Sequence, residues 1–447
     1  MIEFIPHTPE DVAEMLAVVG ASSIDELFAD IPAEVLKGYR PLGLAPLSEL
    51  EIAQIMRGLA AENLDPTGFV SFLGGGVYDH FIPSVVEHLI SRSEFYTAYT
   101  PYQAEISQGT LTWMFEFQTM VCELTGMEVA NSSMYDGATA LAEAMFMASR
   151  ITGKRRFLLA ESVNPHYRQV VRTYAWAADL DLISLSYNDQ GQLDRAALNR
   201  ALTSESEVGG LLLQSPNFFG IIEDLEGLKE RLGEAFLIVS ANPISLGLLR
   251  PPGEFGADIT VGEGQALGNP QNFGGPLLGL FATRQRHLRQ MPGRVAGQTV
   301  DREGKTSYVM ALQTREQHIR RERATSNICT NQALCGLAAT IWLAALGREG
   351  LRELAELNLQ KAHYLAGRIE ELAGYRLRFA GPFFNEFVVQ LPCEPAEVLA
   401  SLREAKVLGG LDLSPYGLKD SLLVAVTEKR TRAELDLFVE RLEEASR

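Results

Sequence analysis

The chain has 447 residues and a formal net charge of −18, with 46% hydrophobic and 21% charged residues. That length allows two domains and a sizeable core, and the acidic balance argues against a nucleic-acid or other polyanion partner. The longest apolar run, Cys335 to Gly347, has 13 residues; a membrane span needs about 20, so the run reads as a buried helix and no membrane partner is expected.

The stretch Met1–Pro6 carries neither a basic nor a long apolar segment, so no secretory signal is expected. Residues 1–65 predict a helical arm. Thr8-Pro9-Glu10-Asp11 supplies an N-cap, a proline at the first helical position and acids against the helix dipole. Ser48 with Glu51 forms a second capping box, ahead of Ile52, Ile55 and Met56. Ile31-Pro32, Pro41 and Pro46 break the chain between them. Such an arm buries little by itself and should wrap a larger body or a partner subunit.

Residues 66–330 predict a large α/β domain. Apolar, β-rich runs fall at Phe157–Ala160, Leu182–Ser186, Leu211–Gln214, Phe236–Ser240, Ile259–Val261 and Leu277–Phe281. Helical segments lie between the earlier ones, at Thr139–Ile151, Gln169–Ala178, Arg195–Leu202 and Leu225–Leu232. Runs buried on both faces imply a mainly parallel sheet with crossover helices, whose ligands bind outside the carboxyl ends of the strands. Residues 331–447 predict a small C-terminal α+β domain. A long apolar helix ends at Gly347 and a second runs through Leu354–Leu372. Strands follow at Tyr375–Phe379, Phe387–Leu391 and Leu422–Val426, then a final helix capped by Thr431 and Glu434.

Four cysteines, Cys122, Cys329, Cys335 and Cys393, show no metal-ligand spacing and no disulfide framework. They read as small buried hydrophobes in a reducing cytosol, so the chain is expected to be cytoplasmic and to hold no metal.

The most informative stretch follows the run Ile259–Val261. Gly262-Glu263-Gly264-Gln265-Ala266-Leu267-Gly268-Asn269-Pro270, continuing to Gly274-Gly275-Pro276, has the setting of a cofactor-anchoring loop. It holds no lysine, and none occurs between Lys229 and Lys305. An enzyme that holds an aldehyde cofactor as a Schiff base needs an amine at such a loop. Upstream, Ser132-Ser133-Met134-Tyr135-Asp136-Gly137-Ala138-Thr139 opens a helix. It reads either as a phosphate cradle or as a plain turn and N-cap, and the charge of Asp136 favours the cap.

Three further segments carry a family resemblance. They are Gly74-Gly75-Gly76-Val77-Tyr78-Asp79-His80, the tyrosine-rich run from Phe95 to Thr110, and Arg315-Glu316-Gln317-His318-Ile319-Arg320-Arg321-Glu322-Arg323-Ala324-Thr325-Ser326-Asn327-Ile328-Cys329-Thr330-Asn331-Gln332. With Gly262–Pro276, they resemble the N-terminal half of glycine decarboxylase, the P-protein of the glycine cleavage system, and the likeness runs almost end to end. The resemblance implies a fold type I pyridoxal-phosphate-transferase-like chain: an arm, a large mainly parallel sheet domain and a small α+β domain. Bacterial members are often split into two chains, and this one is similar to the chain without the lysine. Laying Pro270 and Pro276 onto the prolines of the family's lysine-bearing half puts Gln265 where the Schiff-base lysine would stand. The strand end Val239-Ser240-Ala241-Asn242-Pro243 likewise lacks the aspartate that normally pairs with the cofactor's pyridine nitrogen.

What the resemblance implies for function is an α2β2 assembly with a lysine-bearing subunit that holds the pyridoxal phosphate. Glycine would be the substrate, and the lipoyl arm of the H-protein would receive the aminomethyl group. Tyr96, Tyr99, Thr100, Tyr102, Gln103 and Glu105 either line a shared site or cover a subunit contact, where tyrosine is enriched. Arg320, Arg321 and Arg323 either steer an anionic group or, as the neighbouring Glu316 and Glu322 favour, form an ion-pair network. His80, His166 and His318 read as hydrogen-bonded structural histidines. Two rival readings remain: a catalytically silent scaffold, and a self-sufficient pyridoxal-phosphate enzyme using another amine such as Lys305.

Overall fold

The computed structural model describes residues 7–40, 42–63, 68–204, 207–272 and 274–445. The readings for Met1–Pro6 and Pro41 lie outside the described residues. The chain divides into two units, residues 1–65 and 66–447. In the first, α1 (Pro9–Val19), α2 (Ala33–Gly38) and α3 (Glu49–Ala61) form in turn. Both expected capping boxes close, Thr8 with Asp11 and Ser48 with Glu51. None of the three helices buries a residue.

The second unit opens with β1 (Val70–Ser71), α4 (Ser84–Ile90), α5 (Ser93–Tyr96) and α6 (Gln108–Thr125). The large sheet then begins with β2 (Val129–Ala130), followed by α7 (Gly137–Thr152), β3 (Arg156–Ala160), α8 (Pro165–Ala177), β4 (Asp181–Leu185) and α9 (Arg195–Ser204). It is completed by β5 (Val208–Ser215), α10 (Leu228–Leu232), β6 (Phe236–Ala241), β7 (Ile259–Glu263) and β8 (Gly279–Thr283). The seven strands lie in the order β2-β8-β7-β6-β5-β3-β4. Strands β3 to β7 run parallel, while β8 pairs antiparallel with β7 and with β2. Leu211, Leu213, Leu237, Val239 and Ile259 are fully buried and pack with Leu141 and Met145 of α7 in one core. That two-sided burial is why these strands read as unbroken apolar runs.

Strands β9 (Val295–Val300) and β10 (Thr306–Ala311) then form an antiparallel hairpin that the apolar pattern does not anticipate. After the single turn α11 (Gln317–Arg320) comes α12 (Ala333–Glu370). The two helices expected here both form and meet at a kink at Gly347, whose backbone sits at φ 63°, ψ −174°. Before the break, Leu337, Trp342 and Leu343 pack with Trp113 and Phe117 of α6. Beyond it, Ala362, Leu365 and Ile369 join the core of the C-terminal region. By length and composition α12 is the one described helix that passes for a membrane span, but half of its most apolar window is buried inside the protein.

That C-terminal region contains β11 (Arg376–Leu377), β12 (Glu386–Gln390), α13 (Pro395–Glu404), β13 (Val407–Leu408), β14 (Leu411–Asp412), β15 (Ser421–Ala425) and α14 (Arg432–Ala445). Its antiparallel sheet has the order β11-β12-β15-β14. Strand β13 pairs instead with β1, in parallel.

Candidate functional site

The carboxyl ends of β5, β6 and β7 converge where doubly wound sheets hold their ligands. Here the space enclosed is about 30 Å³, among Tyr78, Tyr167, Gln214, Asn242, Glu263 and Glu386. Small-molecule pockets run to ~300–1,000 Å³, and one water needs on the order of 10–15 Å³ of such volume. The slot has room for a water or two.

Gln265 is not among the residues that line it and lies instead against the neighbouring cleft. Gln265, 2% exposed, accepts the Tyr78 N–H at 2.9 Å and donates its amide to the carbonyls of Tyr78 at 3.1 Å and Asn269 at 2.7 Å. It ties the Gly74–His80 segment to its own loop. The N-terminus of α7 is also taken. Asp136 accepts from the Thr139 N–H at 2.8 Å, and Glu263 accepts from the Gly137 N–H at 2.9 Å. The donors that would hold a phosphate already bond two carboxylates of the chain itself.

The other oxygen of Glu263 accepts the N–H groups of Gln265 and Leu278, each at 2.9 Å. Burial nevertheless pushes its carboxyl up to about 8, with the three N–H groups pulling the other way and Asp136 adding to the rise. Glu386 on β12 accepts from the Gly75 N–H at 2.7 Å and the Tyr78 hydroxyl at 2.9 Å. Burial pushes it up to about 7 against those two bonds. A Cβ at Gly74 would stand 2.1 Å from that carboxylate, so this glycine lets the chain lie across Glu386. Burial, then the charge of Glu386, drives the Tyr78 hydroxyl well above its ordinary value.

Across Gln265 lies a wider cleft of about 520 Å³, lined in part by His80, Gln265, Asn269 and Lys429. His80 bonds Glu428 at 2.7 Å, as a structural histidine would. Lys429, the amine in this cleft, sits 2.6 Å from Asp79. Lys305 lies beyond the β9–β10 turn, mostly exposed and 2.6 Å from Glu303. It lines neither space.

The tyrosine-rich run lies elsewhere. Tyr96, Tyr99 and Thr100 line a cleft of about 290 Å³ together with Trp113, Arg294 and the segment Thr330–Gln332. Tyr102 is outside that lining and meets His318 edge-on at 5.7 Å, with Arg294 5.8 Å from its ring. Gln103 and Glu105 are exposed beside a short turn at Ala104–Ile106. Two segments about 200 residues apart in sequence thus meet around Arg294, a residue that motif reading passes over. Arg294 is 8% exposed; it donates to the Cys329 carbonyl at 2.9 Å, while its Nε is buried without a hydrogen-bond partner. Only its place after the Pro292-Gly293 turn, at the head of β9, could have drawn attention to it.

The expected arginine network is not what the described residues form. Glu316 lies 3.8 Å from Arg294 and 3.6 Å from His318, and Glu322 reaches only Arg323, at 3.9 Å. Arg315 donates instead to the carbonyls of Met291, Gly293 and Leu312, and Arg320 to that of Thr314. The turns of this segment bring backbone oxygens closer than the glutamates.

This architecture is the fold type I pyridoxal-phosphate-transferase-like fold. A glutamate decarboxylase from Lactobacillus brevis shares it at TM-score 0.67 and 12% identity, over 92% of this chain and 96% of that one, a likeness that shows the fold alone. The family model for the glycine cleavage system P-protein matches residues 2–442. A probable glycine dehydrogenase (decarboxylating) subunit 1 from Chlorobium limicola is 53% identical over 98% of this chain and 99% of its own length. A crystal structure of glycine decarboxylase (P-protein) of the glycine cleavage system, in inhibitor-bound form, aligns at TM-score 0.89 and 44% identity, covering 99% and 100% of the two chains. The chain belongs to the glycine cleavage system P-protein family.

That family membership raises the question of pyridoxal phosphate, and the sheet-end residues do not fit it. Gln265 is committed to three backbone bonds. Asn242 turns its side chain to the Ile244 N–H at 2.9 Å, so no acid faces the slot from the end of β6. Two α7 donors, the N–H groups of Gly137 and Thr139, are already taken.

Proposed function

We propose that this chain is subunit 1 of glycine decarboxylase and works with a lysine-bearing homologue as an α2β2 assembly. Pyridoxal phosphate and the covalent chemistry stay with that partner, which decarboxylates glycine and passes the aminomethyl group to the lipoyl arm of the H-protein. The contribution of this chain is binding and electrostatics at a shared site. Tyr96, Tyr99 and Thr100 offer hydroxyls on the cleft wall, with Tyr102, Gln103 and Glu105 beside it. Its working parts are an arm (1–65), a large domain (66–330) and a small domain (331–447) bridged by α12, in a cytoplasmic protein.

The observation that carries this reading is the state of the sheet end: Gln265 bound to both segments beside it, with Glu263 and Asp136 on the Gly137 and Thr139 donors of α7. The test is borohydride reduction of the isolated chain in excess pyridoxal phosphate, followed by peptide mapping. No stoichiometric label is expected on any lysine, Lys429 and Lys305 included. Glycine–bicarbonate exchange should appear only on co-expression with the lysine-bearing homologue. A stoichiometrically labelled lysine together with exchange by the isolated chain would overturn the reading.

A further inference from the structure

A further cleft collects positive charge. Arg150 at the end of α7, Arg289, Arg315, Arg320 and Arg323 line a space of about 350 Å³ with Gln290, Leu312 and Thr314. Five guanidinium groups facing one cleft is a costly arrangement unless anions offset it. Among the described residues the only carboxylate paired with any of them is Glu322, 3.9 Å from Arg323 and exposed like it.

The remaining contacts leave donors free. Arg150 gives one N–H to the Gln290 carbonyl at 3.0 Å. Arg320 spends its Nε on Thr314, at 3.1 Å. Arg315 is consumed by the carbonyls that anchor it, so it supplies charge rather than donors. One buried acid, Glu143, offsets part of the charge of Arg150. It is 1% exposed, its Oε2 has no hydrogen-bond partner, and burial raises its carboxyl against the opposing pull of Ser326 and Arg150. Burial pulls the guanidinium of Arg315 below its ordinary value; Glu316 opposes that pull and Arg150 adds to it. Burial is the main cause, and the like charge of Arg150 is the smallest of the three.

We propose that this cleft binds a small multivalent oxyanion, a phosphorylated or polycarboxylate molecule held by the forks of Arg289, Arg320 and Arg323. The volume falls in the range of small-molecule sites, and a concave wall suits a compact ligand better than a broad protein face. Planar guanidinium forks match phosphate and carboxylate oxygens in pairs, and an anion would relieve the repulsion within the cluster. In a chain of net charge −18, such a ligand has few other places to settle. The inference does not depend on the proposed catalytic role.

The test is calorimetric titration of the full-length chain with pyrophosphate, at constant ionic strength set by sodium chloride. One-to-one saturable binding is expected, weakened about tenfold or more, ~1.4 kcal/mol each, by Arg320→Ala and by Arg323→Ala. Arg320→Lys should weaken it too, since lysine keeps the charge and loses the fork. Both arginines are exposed, so melting temperatures should not move, which separates lost binding from lost folding. Three results would overturn the proposal: no saturable binding at constant ionic strength, binding indifferent to the double alanine variant, or polyglutamate binding through these arginines while pyrophosphate does not.

Discussion

Gln265 is a structural residue. Its amide satisfies groups on two segments that are 187 residues apart in sequence. A buried donor or acceptor left without a partner costs about 1–3 kcal/mol, so Gln265→Ala should lower unfolding free energy by that order in urea titration. Gln265→Lys should fail to create a cofactor enzyme: Glu263 and Asp136 still occupy the Gly137 and Thr139 donors at the start of α7, so absorbance should show no visible band with pyridoxal phosphate. Glu386 gives a pH signature. Its carboxyl rises from the usual 4.5 to about 7 on burial, so the folded state keeps a proton that the unfolded chain releases between those values. Its stability contribution is therefore full below about pH 4.5 and is lost as pH rises to 7. At about 1.4 kcal/mol per unit the fall is a few kcal/mol. Glu386→Gln keeps an acceptor for Gly75, and its unfolding free energy should decline less steeply across that window. Equal slopes for the two proteins would show that this carboxyl is ionised throughout.

At the scale of elements, the break in α12 makes the sharpest claim. The backbone of Gly347 lies in a region essentially closed to other residues, and open space surrounds its missing Cβ. Gly347→Ala should therefore cost about 1–3 kcal/mol through backbone strain alone, read as a lower urea midpoint with an unchanged slope. The break also shows how far sequence reasoning reaches. An apolar run ending at glycine marks the change of direction correctly, but not that the helix resumes at once. The central strands of the large sheet are legible because burial on both faces makes them rich in Leu, Ile, Val and Phe. The hairpin β9–β10 is missed because Gln298, Thr299 and Val300 are exposed. No apolar pattern marks that strand; the turn residues Asp301 to Gly304 are its one local signal. At the slot, a missing lysine is legible as an absence. The bonds that fill its place are not, because they join Gln265 to Tyr78 and Glu263 to Gly137 only after the sheet has formed.

For the whole molecule, the proposed division of labour between two subunits is one that a stability measurement alone would miss. Tyr99 is 87% exposed and Tyr102 45% exposed, and neither belongs to a core cluster. Surface changes of this kind usually alter stability by no more than about 0.5 kcal/mol, so Tyr99→Ala and Tyr102→Ala should melt like the parent chain. On the proposed reading, this exposed aromatic face beside a buried arginine acts on another molecule. With the lysine-bearing subunit present, each change should lower glycine–bicarbonate exchange about tenfold or more, a loss of ~1.4 kcal/mol in transition-state stabilisation. Size-exclusion chromatography of the same samples separates the two meanings of this face. Normal assembly with reduced exchange places the tyrosines in the shared site. Weakened assembly with full exchange per complex makes them a subunit contact. Normal assembly with full exchange would leave the chain a scaffold and remove the shared-site reading altogether.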